Sequence, residues 1–473
     1  MKNSEYIEKR EKRIAVFGFG KTGRALLDFL LEQKNYKTKA LYLFNDNPVE
    51  APEDRSSKKN YETRGVTFII GQERFGELEA MDLILLSPGV DGRARRFHRL
   101  RQKGITIISE IEFAFTFIKA PIIAVTGTNG KSTTVSLIHH FLSKNGVNSF
   151  LTGNIGTPLI SEVERITNRS VLVVEVSSFQ LEEIVDFKPH IALILNITPD
   201  HLDRYKKLED YCSAKLNIGK NQESSDYIIL NDDDPLLKAN RESMGAARRV
   251  WFSRVQQDFE VGACVIDHHI HVKLEEIDET ISIIKNPLRG LHNLENLVAS
   301  VTAARLMGVP AEGIEASIGD FKGLPHRMES VGKIRGVEFI NDSKATNVDA
   351  ALKSINSMDR RLVLIMGGRD KGSDFTILRD SLEEKADHVL LVGDAAPIIR
   401  QQLKDIENKL SFAADFSEAV EKGYQWLEKK GGVVLLAPGC ASFDMFKNFE
   451  HRGEVFKEEV LTLGSKEGGV THG

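Results

Sequence analysis

The stretch TGTNGKST (126–133) stands between the apolar run PIIAV (121–125) and the amphipathic run VSLIHHFLSKNG (135–146). Its spacing departs from the usual G-x-x-x-x-G-K-[ST] phosphate loop, because Val125 occupies the place of the first glycine. Gly127 and Gly130 still allow the backbone amides of residues 128–132 to converge on an anion, with Lys131 as a point charge. Ser132 or Thr133 can offer a hydroxyl to Mg²⁺. A strand, a glycine loop and a helix follow one another in the order a nucleotide site needs. The helix is expected to run from Lys131 through Val135, Leu137, Ile138, Phe141 and Leu142, and to stop at Asn145-Gly146.

Outward from this loop the same pattern recurs. The runs IAVFGFG (14–20), LILLSPG (83–89), VLVVEVSS (171–178), IALILN (191–196), LVLIMGG (362–368), VLLVGD (389–394) and VVLLAPG (433–439) are apolar without polar alternation, and each ends in small residues. Such runs are strands buried on both faces, hence parallel sheets covered by helices. The fold class expected is α/β in three domains: an N-terminal Rossmann-like domain, a central phosphate-loop ATPase sheet and a C-terminal Rossmann-like domain. Boundaries are placed at 1–112, 113–322 and 323–473, which agrees with a length of 473 residues and typical domain sizes. Residues 466–473, KEGGVTHG, read as a loose tail. The stretch 260–290 shows no pattern that assigns it.

Composition excludes several classes. The formal net charge is −5, with 41% hydrophobic and 28% charged residues, so neither nucleic acid nor an acidic membrane is an expected partner. Three scattered cysteines suit a reducing compartment rather than a disulfide framework. The charged start MKNSEYIEKREKR is expected to be neither a signal peptide nor an anchor, and no run reaches membrane-helix length. A cytoplasmic protein without membrane insertion is expected.

Two further clusters carry chemistry. GFGKTG (18–23) is a complete G-x-G-x-x-G directly after a strand, with Asp46 placed 23 residues beyond Gly23. It reads either as a nucleotide-diphosphate cradle, with Asp46 on a ribose hydroxyl, or as a bare strand–helix turn. It does not by itself name NAD. After the central strands come Glu175, His201 and Lys215, at the sheet edge where ligands bind in such folds. A carboxylate inside an apolar run needs a partner, and Mg²⁺ is suitable. His201 and Lys215 taken alone read as an ordinary loop histidine and a solvated helix lysine. In the last third, NDSKATN (341–347), GGRDKGSDF (367–375) and CASFDMFKNFEHRGEVF (440–456) each follow a strand. They offer Asp342, Lys344, Thr346, Lys371, Ser442 and Arg452 to a small anionic substrate, or else serve as loop caps.

TGTNGKST, GNIG (153–156), EVSSFQLE (175–182), DHLDR (200–204), AK (214–215), GLHNLEN (290–296) and LPHRME (324–329) together resemble the ATP-dependent Mur ligases of peptidoglycan synthesis. NDSKATN, DKGSDF and CASFDMFKNFEHRG are most similar to the branch that adds D-glutamate. The resemblance implies transfer of the ATP γ-phosphate to the carboxylate of UDP-N-acetylmuramoyl-L-alanine, then attack by the amine of D-glutamate. It implies two Mg²⁺ ions, one held by Ser132 and Glu175 and the second by His201, with a carbamylated Lys215 beside them. Lys131, His201 and Lys215 would be catalytic. Gly127, Thr128, Asn129, Gly130, Lys131, Ser132, Thr133, Asn296, Arg327 and Asp342 would bind ATP. Gly18, Gly20, Thr22 and Asn47 would contact the uridine substrate, Asn154 would bind substrate facing the acyl-acceptor segment, and Thr346, Lys371, Ser442, Phe443 and Phe449 would hold D-glutamate. A monomer is expected. Two departures stand out. Phe443 occupies the place of a family leucine, and Asn47-Pro48 that of a threonine–arginine pair, which removes a cation near the diphosphate. A folylpolyglutamate-type ligase, an NAD(P) oxidoreductase built on GFGKTG and a nucleotide-gated interaction protein are the alternatives. NDSKATN and GFGKTG count against the first, the second leaves TGTNGKST, Glu175 and His201 unexplained, and the third predicts ATP binding without substrate-dependent turnover.

Overall fold

The computed structural model describes residues 12–33, 38–48, 52–201, 204–205, 207–255, 259–288 and 290–471. Most of the charged N-terminal stretch, Leu202 and Asp203 of DHLDR, and the last two residues of the tail lie outside the described residues. The chain divides into two compact units. One comprises Met1–Ile197, Glu209–Ile283 and Leu297–Ser317; the other comprises Thr198–Leu208, Ile284–Asn296 and Ile318–Gly473.

The first unit contains two sheets. Strands β1 (Lys12–Phe17), β2 (Thr38–Asn45), β3 (Val66–Ile70), β4 (Leu83–Leu86) and β5 (Thr106–Ser109) form a parallel sheet of order β3-β2-β1-β4-β5. The order reverses beside β1, the switch point at which doubly wound sheets open a crevice. The second sheet has nine strands: β6 (Ile122–Thr126), β7 (Ser149–Gly153), β8 (Val171–Glu175), β9 (Ile191–Ile194), β10 (Tyr227–Asn231), β11 (Arg248–Ser253), β12 (Gly262–Ile266), β13 (His269–Leu274) and β14 (Ile277–Ser282). Their order is β14-β13-β12-β11-β10-β9-β6-β8-β7. The stretch without a readable pattern is therefore an antiparallel meander, β12 to β14, appended to a parallel sheet. Its last strand, IDETIS, is mostly half-exposed, which explains why no apolar run announces it.

The second unit holds β15 (Glu329–Ile334), β16 (Val337–Asn341), β17 (Leu362–Gly367), β18 (Ala386–Val392), β19 (Leu410–Phe412) and β20 (Gly432–Leu436) in the order β15-β16-β20-β17-β18-β19. Only β15 is antiparallel. Two apolar layers cover its faces. One is built on Ile355, Leu364, Phe375 and Leu391, the other on Phe339, Ile365, Tyr424 and Phe456.

The eight apolar runs all occupy buried parallel strands, as their lack of alternation requires. The tail expected to be loose is tied down. Thr471 exchanges backbone hydrogen bonds with Lys333 at 2.8 and 3.0 Å, and Val470 packs on the core. The line drawn at residue 112 falls within the helix Glu110–Phe115, whose two carboxylates are buried. Glu110 accepts from the Ile160 amide, and Glu112 from the amides of Val185, Asp186 and Phe187. The helix is thereby joined to the loops of the nine-stranded sheet.

Candidate active site

In the nine-stranded sheet β6 lies between β9 and β8, so three strand ends meet: the glycine loop, Glu175, and Asn196 after β9. Gly127 sits at φ +154°, and a Cβ there would press on Leu195 at 3.1 Å. Gly130 caps the helix Lys131–Lys144 in the left-handed region at φ +86°, a conformation that favours glycine. Asn196, which the sequence did not single out, braces the loop. Its side chain accepts from the Asn129 amide at 2.8 Å and donates to the Asn129 carbonyl, while the Thr128 amide donates to the Asn196 carbonyl. The amides of Thr128 and Asn129 are thus committed to the strand end, which narrows the expected cradle of residues 128–132. Lys131 folds back, Nζ reaching the carbonyls of Gly127 and Thr128 at 2.8 Å each.

Ser132 Oγ donates to Glu175 Oε2 at 2.7 Å, and Asn154 Nδ2 to Glu175 Oε1 at 2.9 Å. Asn154, expected to face the acyl-acceptor segment, lines the cleft described below and also holds this carboxylate. Hydroxyl and carboxylate are hard oxygen donors of the kind Mg²⁺ takes. Their separation is close to the roughly 2.9 Å between neighbouring ligands of an octahedral ion with bonds of about 2.1 Å. The pair fits a Mg²⁺ ion that draws the rest of its shell from phosphate and water. Lys215, on the helix Leu208–Leu216, is 1% exposed; its Nζ donates to the Gly127 carbonyl at 2.9 Å and lies 4.3 Å from the Tyr211 ring centre. It is a buried lysine against the phosphate loop, not a solvated one.

Residues 18–22, the glycine turn after β1 and the start of the following helix, line a cleft of about 480 Å³ shared with the second sheet's loop at Gly153–Pro158. A Cβ on Gly23 would lie 1.9 Å from the Gly18 carbonyl, so this third glycine permits the tight turn. Gly18, Gly20, Thr22, Asn47 and Asn154 all line the cleft, as do Asn45, Ser87 and Lys21, which were not anticipated. Asn45 Oδ1 accepts from the Phe19 amide at 3.2 Å. Asp46 also lines the cleft, but its carboxylate is already held by Arg96 at 3.2 and 3.3 Å. A guanidinium is thus the partner the structure gives it, where a ribose hydroxyl was expected.

The second unit gathers the other residues separately. After β16, β20 and β17, three adjacent parallel strands, come the loops bearing Asp342 to Thr346, Ser442 with Phe443, and Lys371. The Gly367 amide bonds the Pro438 carbonyl and the Gly439 amide the Ala345 carbonyl, which knits the three loops together. Ser442 is buried and Phe443 is 65% exposed. Lys344 Nζ sits 3.8 Å from the Phe449 ring centre. Arg452, offered as a substrate contact, is instead a buried strut: it donates to Ser343 Oγ and to the carbonyls of Ser343, Cys440 and Ala441. Asp342 is buried, accepts from Ser354 Oγ and from the Met328 amide at 3.3 Å, and is raised above the usual carboxylate range by burial. The Arg327 guanidinium opposes that shift, and with burial it lowers His292 to about 4. Asn296 donates to Asn293 Oδ1 at 3.2 Å.

His201 belongs to this second unit and has φ +54°. Its neighbour Asp200 organises the loop. Asp200 accepts from the His201 amide at 2.9 Å and from Asn347 Nδ2 at 3.1 Å, and lies 3.7 Å from Lys371 Nζ. Burial alone would raise the Asp200 carboxyl, yet Lys371, His201 and Asn347 together hold it below its ordinary value. Asp200 stood within a quoted motif, but only its histidine neighbour was read as functional. Among the described residues no three His, Cys, Asp or Glu side chains gather as a metal cluster.

A braced phosphate loop, a buried carboxylate on its serine and a glycine-turn cleft in the same unit define a nucleotide-using enzyme of the α/β class. Family models agree along the chain: a Mur ligase MurD-like N-terminal domain over residues 12–109, a Mur ligase middle domain over 125–304, and a Mur ligase glutamate ligase domain over 326–440. The chain belongs to the Mur ligase family. It is 39% identical over 455 residues to the UDP-N-acetylmuramoylalanine--D-glutamate ligase of Pelotomaculum thermopropionicum, covering 96% of this chain and 98% of that one. The protein of that name from Koribacter versatilis is also 39% identical, over 98% of this chain and all of its own. Among solved structures, the UDP-N-acetylmuramate-alanine ligase of Thermotoga maritima shares the fold with a TM-score of 0.57 at 18% identity, covering 96% and 100% of the two chains. MurF from Acinetobacter baumannii does so at 0.59 and 17%, covering 97% and 93%.

Proposed function

We propose that this enzyme joins D-glutamate to UDP-N-acetylmuramoyl-L-alanine with hydrolysis of ATP to ADP and phosphate, in the making of peptidoglycan precursors. What carries the reading is similarity over nearly the whole chain to ligases of that name, together with the meeting of Lys131, Ser132, Glu175 and Lys215 around one loop. Three domains, 1–112, 113–322 and 323–473, divide the labour between uridine substrate, ATP and D-glutamate.

The chemistry needs two anions to approach. An oxygen of the L-alanyl carboxylate attacks the γ-phosphorus and ADP leaves, giving an acyl phosphate. The D-glutamate amine then attacks the acyl carbon, and phosphate departs from the tetrahedral intermediate. Lys131 leaves its two carbonyl acceptors for the β- and γ-phosphates, a charge-assisted exchange. Asn196 keeps the loop rigid, so that little reorganisation is needed when charge moves. Ser132 and Glu175 would hold one Mg²⁺ and His201 a second; such ions would supply neutralisation of phosphate charge and polarisation of the carboxylate. Lys215 is carbamylated, becoming an anion beside them. Asn296, Arg327 and Asp342 bind the nucleotide, with Asp342 on the ribose. Gly18, Gly20, Thr22, Asn47 and Asn154 hold the uridine substrate. Thr346, Lys371, Ser442, Phe443 and Phe449 surround D-glutamate, and Lys371 passes from Asp200 to a substrate carboxylate. The enzyme works as a cytoplasmic monomer; among the described residues no helix is long and apolar enough to cross a membrane.

The test is phosphate release from Mg²⁺-ATP with both substrates, each omitted in turn. Release only when both are present is expected. Release with the uridine substrate and a different amino acid would move the chain to another branch of the family.

A further inference from the structure

A cleft for a nucleoside diphosphate must supply positive charge, and the lining of this one is sparing with it. Among the described residues, the ionised side chains lining the cleft are Lys21 and Asp46. Left alone they would cancel. They do not, because Asp46 is already neutralised by Arg96, whose two terminal nitrogens lie 3.2 and 3.3 Å from its oxygens. Arg96 is itself fixed: its guanidinium carbon lies 4.3 Å from the ring centre of Phe75 and 4.9 Å from those of Phe17 and Phe97. It cannot leave Asp46 without losing three ring faces. The positive charge remaining in the cleft belongs to Lys21.

Lys21 is the first residue of the twelve-residue helix Lys21–Glu32, immediately after the glycine turn. It is exposed, and its Nζ donates across the cleft to the carbonyl of Gly156, in the loop after β7. That acceptor is neutral, and a phosphate oxygen is a stronger one by about twofold. The positive end of the helix adds to the pull on an anion at the same place.

We propose that Lys21 is the cation that binds the diphosphate of the uridine substrate, and that without substrate it straps the glycine-turn helix to the Gly156 loop. Arg96 is the positioning residue that keeps Asp46 from competing for it. This rests on the reading of the cleft as the uridine diphosphate site.

The experiment compares calorimetric binding of UDP and of uridine to the full chain, with the phosphate loop saturated by Mg²⁺ and a non-hydrolysable ATP analogue. The variants are Lys21→Gln and Lys21→Arg, both at an exposed position. The preference of the wild type for UDP over uridine is expected to fall about tenfold in Lys21→Gln, the loss of one charge-assisted contact, and to persist in Lys21→Arg. Weaker dependence of UDP binding on salt is expected in Lys21→Gln. An unchanged preference in Lys21→Gln, with UDP still bound, would overturn the role of Lys21. Absence of UDP binding to the wild type would overturn the reading of the cleft itself.

Discussion

Ser132 and Asn154 grip opposite oxygens of one buried carboxylate, that of Glu175, at 2.7 and 2.9 Å. One comes from the phosphate-loop helix and the other from the loop after β7, so the carboxylate ties the phosphate loop to the wall of the glycine-turn cleft. Glu175→Gln keeps the shape and an acceptor oxygen but removes the charge a cation needs. Phosphate release is expected to fall about hundredfold or more, with the Mg²⁺ concentration for half-maximal rate raised and the thermal midpoint little changed. A variant with wild-type Mg²⁺ dependence would show that Glu175 only braces the loop.

Lys215 is buried against the Gly127 carbonyl, where a long cation gains little from water. If it works as a carbamate, activity depends on dissolved carbon dioxide. Enzyme acidified, degassed and returned to neutral pH should lose activity and regain it on addition of bicarbonate. Lys215→Arg, which keeps the charge but cannot form the carbamate, should lose about 10²–10³-fold with no bicarbonate response. Recovery that ignores bicarbonate in the wild type would dispose of the carbamate.

Much of this was legible in the sequence, for a physical reason. Strands buried on both faces must be apolar throughout, so the eight runs announced themselves, and the loops after them carried the chemistry. What stayed hidden was contact between distant residues. Arg96 sits in the basic run RARRFHRLRQ (93–102), which belongs to none of the motifs read in the sequence, and its partner Asp46 is fifty positions away. Pro48 reads as the loss of a cation, while Lys21 lines the cleft from the start of the helix after β1 and Arg96 is taken up by Asp46. Asn196 was visible only as a polar residue ending IALILN, and its bond to the Asn129 amide needed the β9-β6 pairing to appear. The β12–β14 meander escaped because its edge strand alternates weakly and is half-exposed.

Glu110 predicts a pH dependence of stability. It is fully buried, and burial raises it from 4.5 to about 7, although the Ile160 and Leu159 amides oppose the shift. For an acid raised on folding, the favourable contribution is complete below the unfolded value and is lost as pH rises through the folded one. Across that window the loss is at most about 3 kcal/mol. Glu110→Gln has no such titration. Urea unfolding of both proteins at pH 5, 6, 7 and 8 should therefore show the variant gaining on the wild type as pH rises. Parallel curves would mean that the buried carboxylate does not titrate in this range.

Arg452 separates holding the fold from doing the chemistry. Burial brings its pKa down to about 10, which leaves it charged at neutral pH. The charge is spread over four acceptors in the loops after β16 and β20. Arg452→Met fills much of the volume but leaves buried carbonyls unpaired, at about 1–3 kcal/mol each before relaxation. A net loss of about 3 kcal/mol is expected in urea unfolding. Because the same two loops carry Thr346 and Ser442, the Michaelis constant for D-glutamate should rise. A loss of turnover at saturating D-glutamate with unchanged stability would instead place Arg452 on the reacting groups, against its burial behind Ser343.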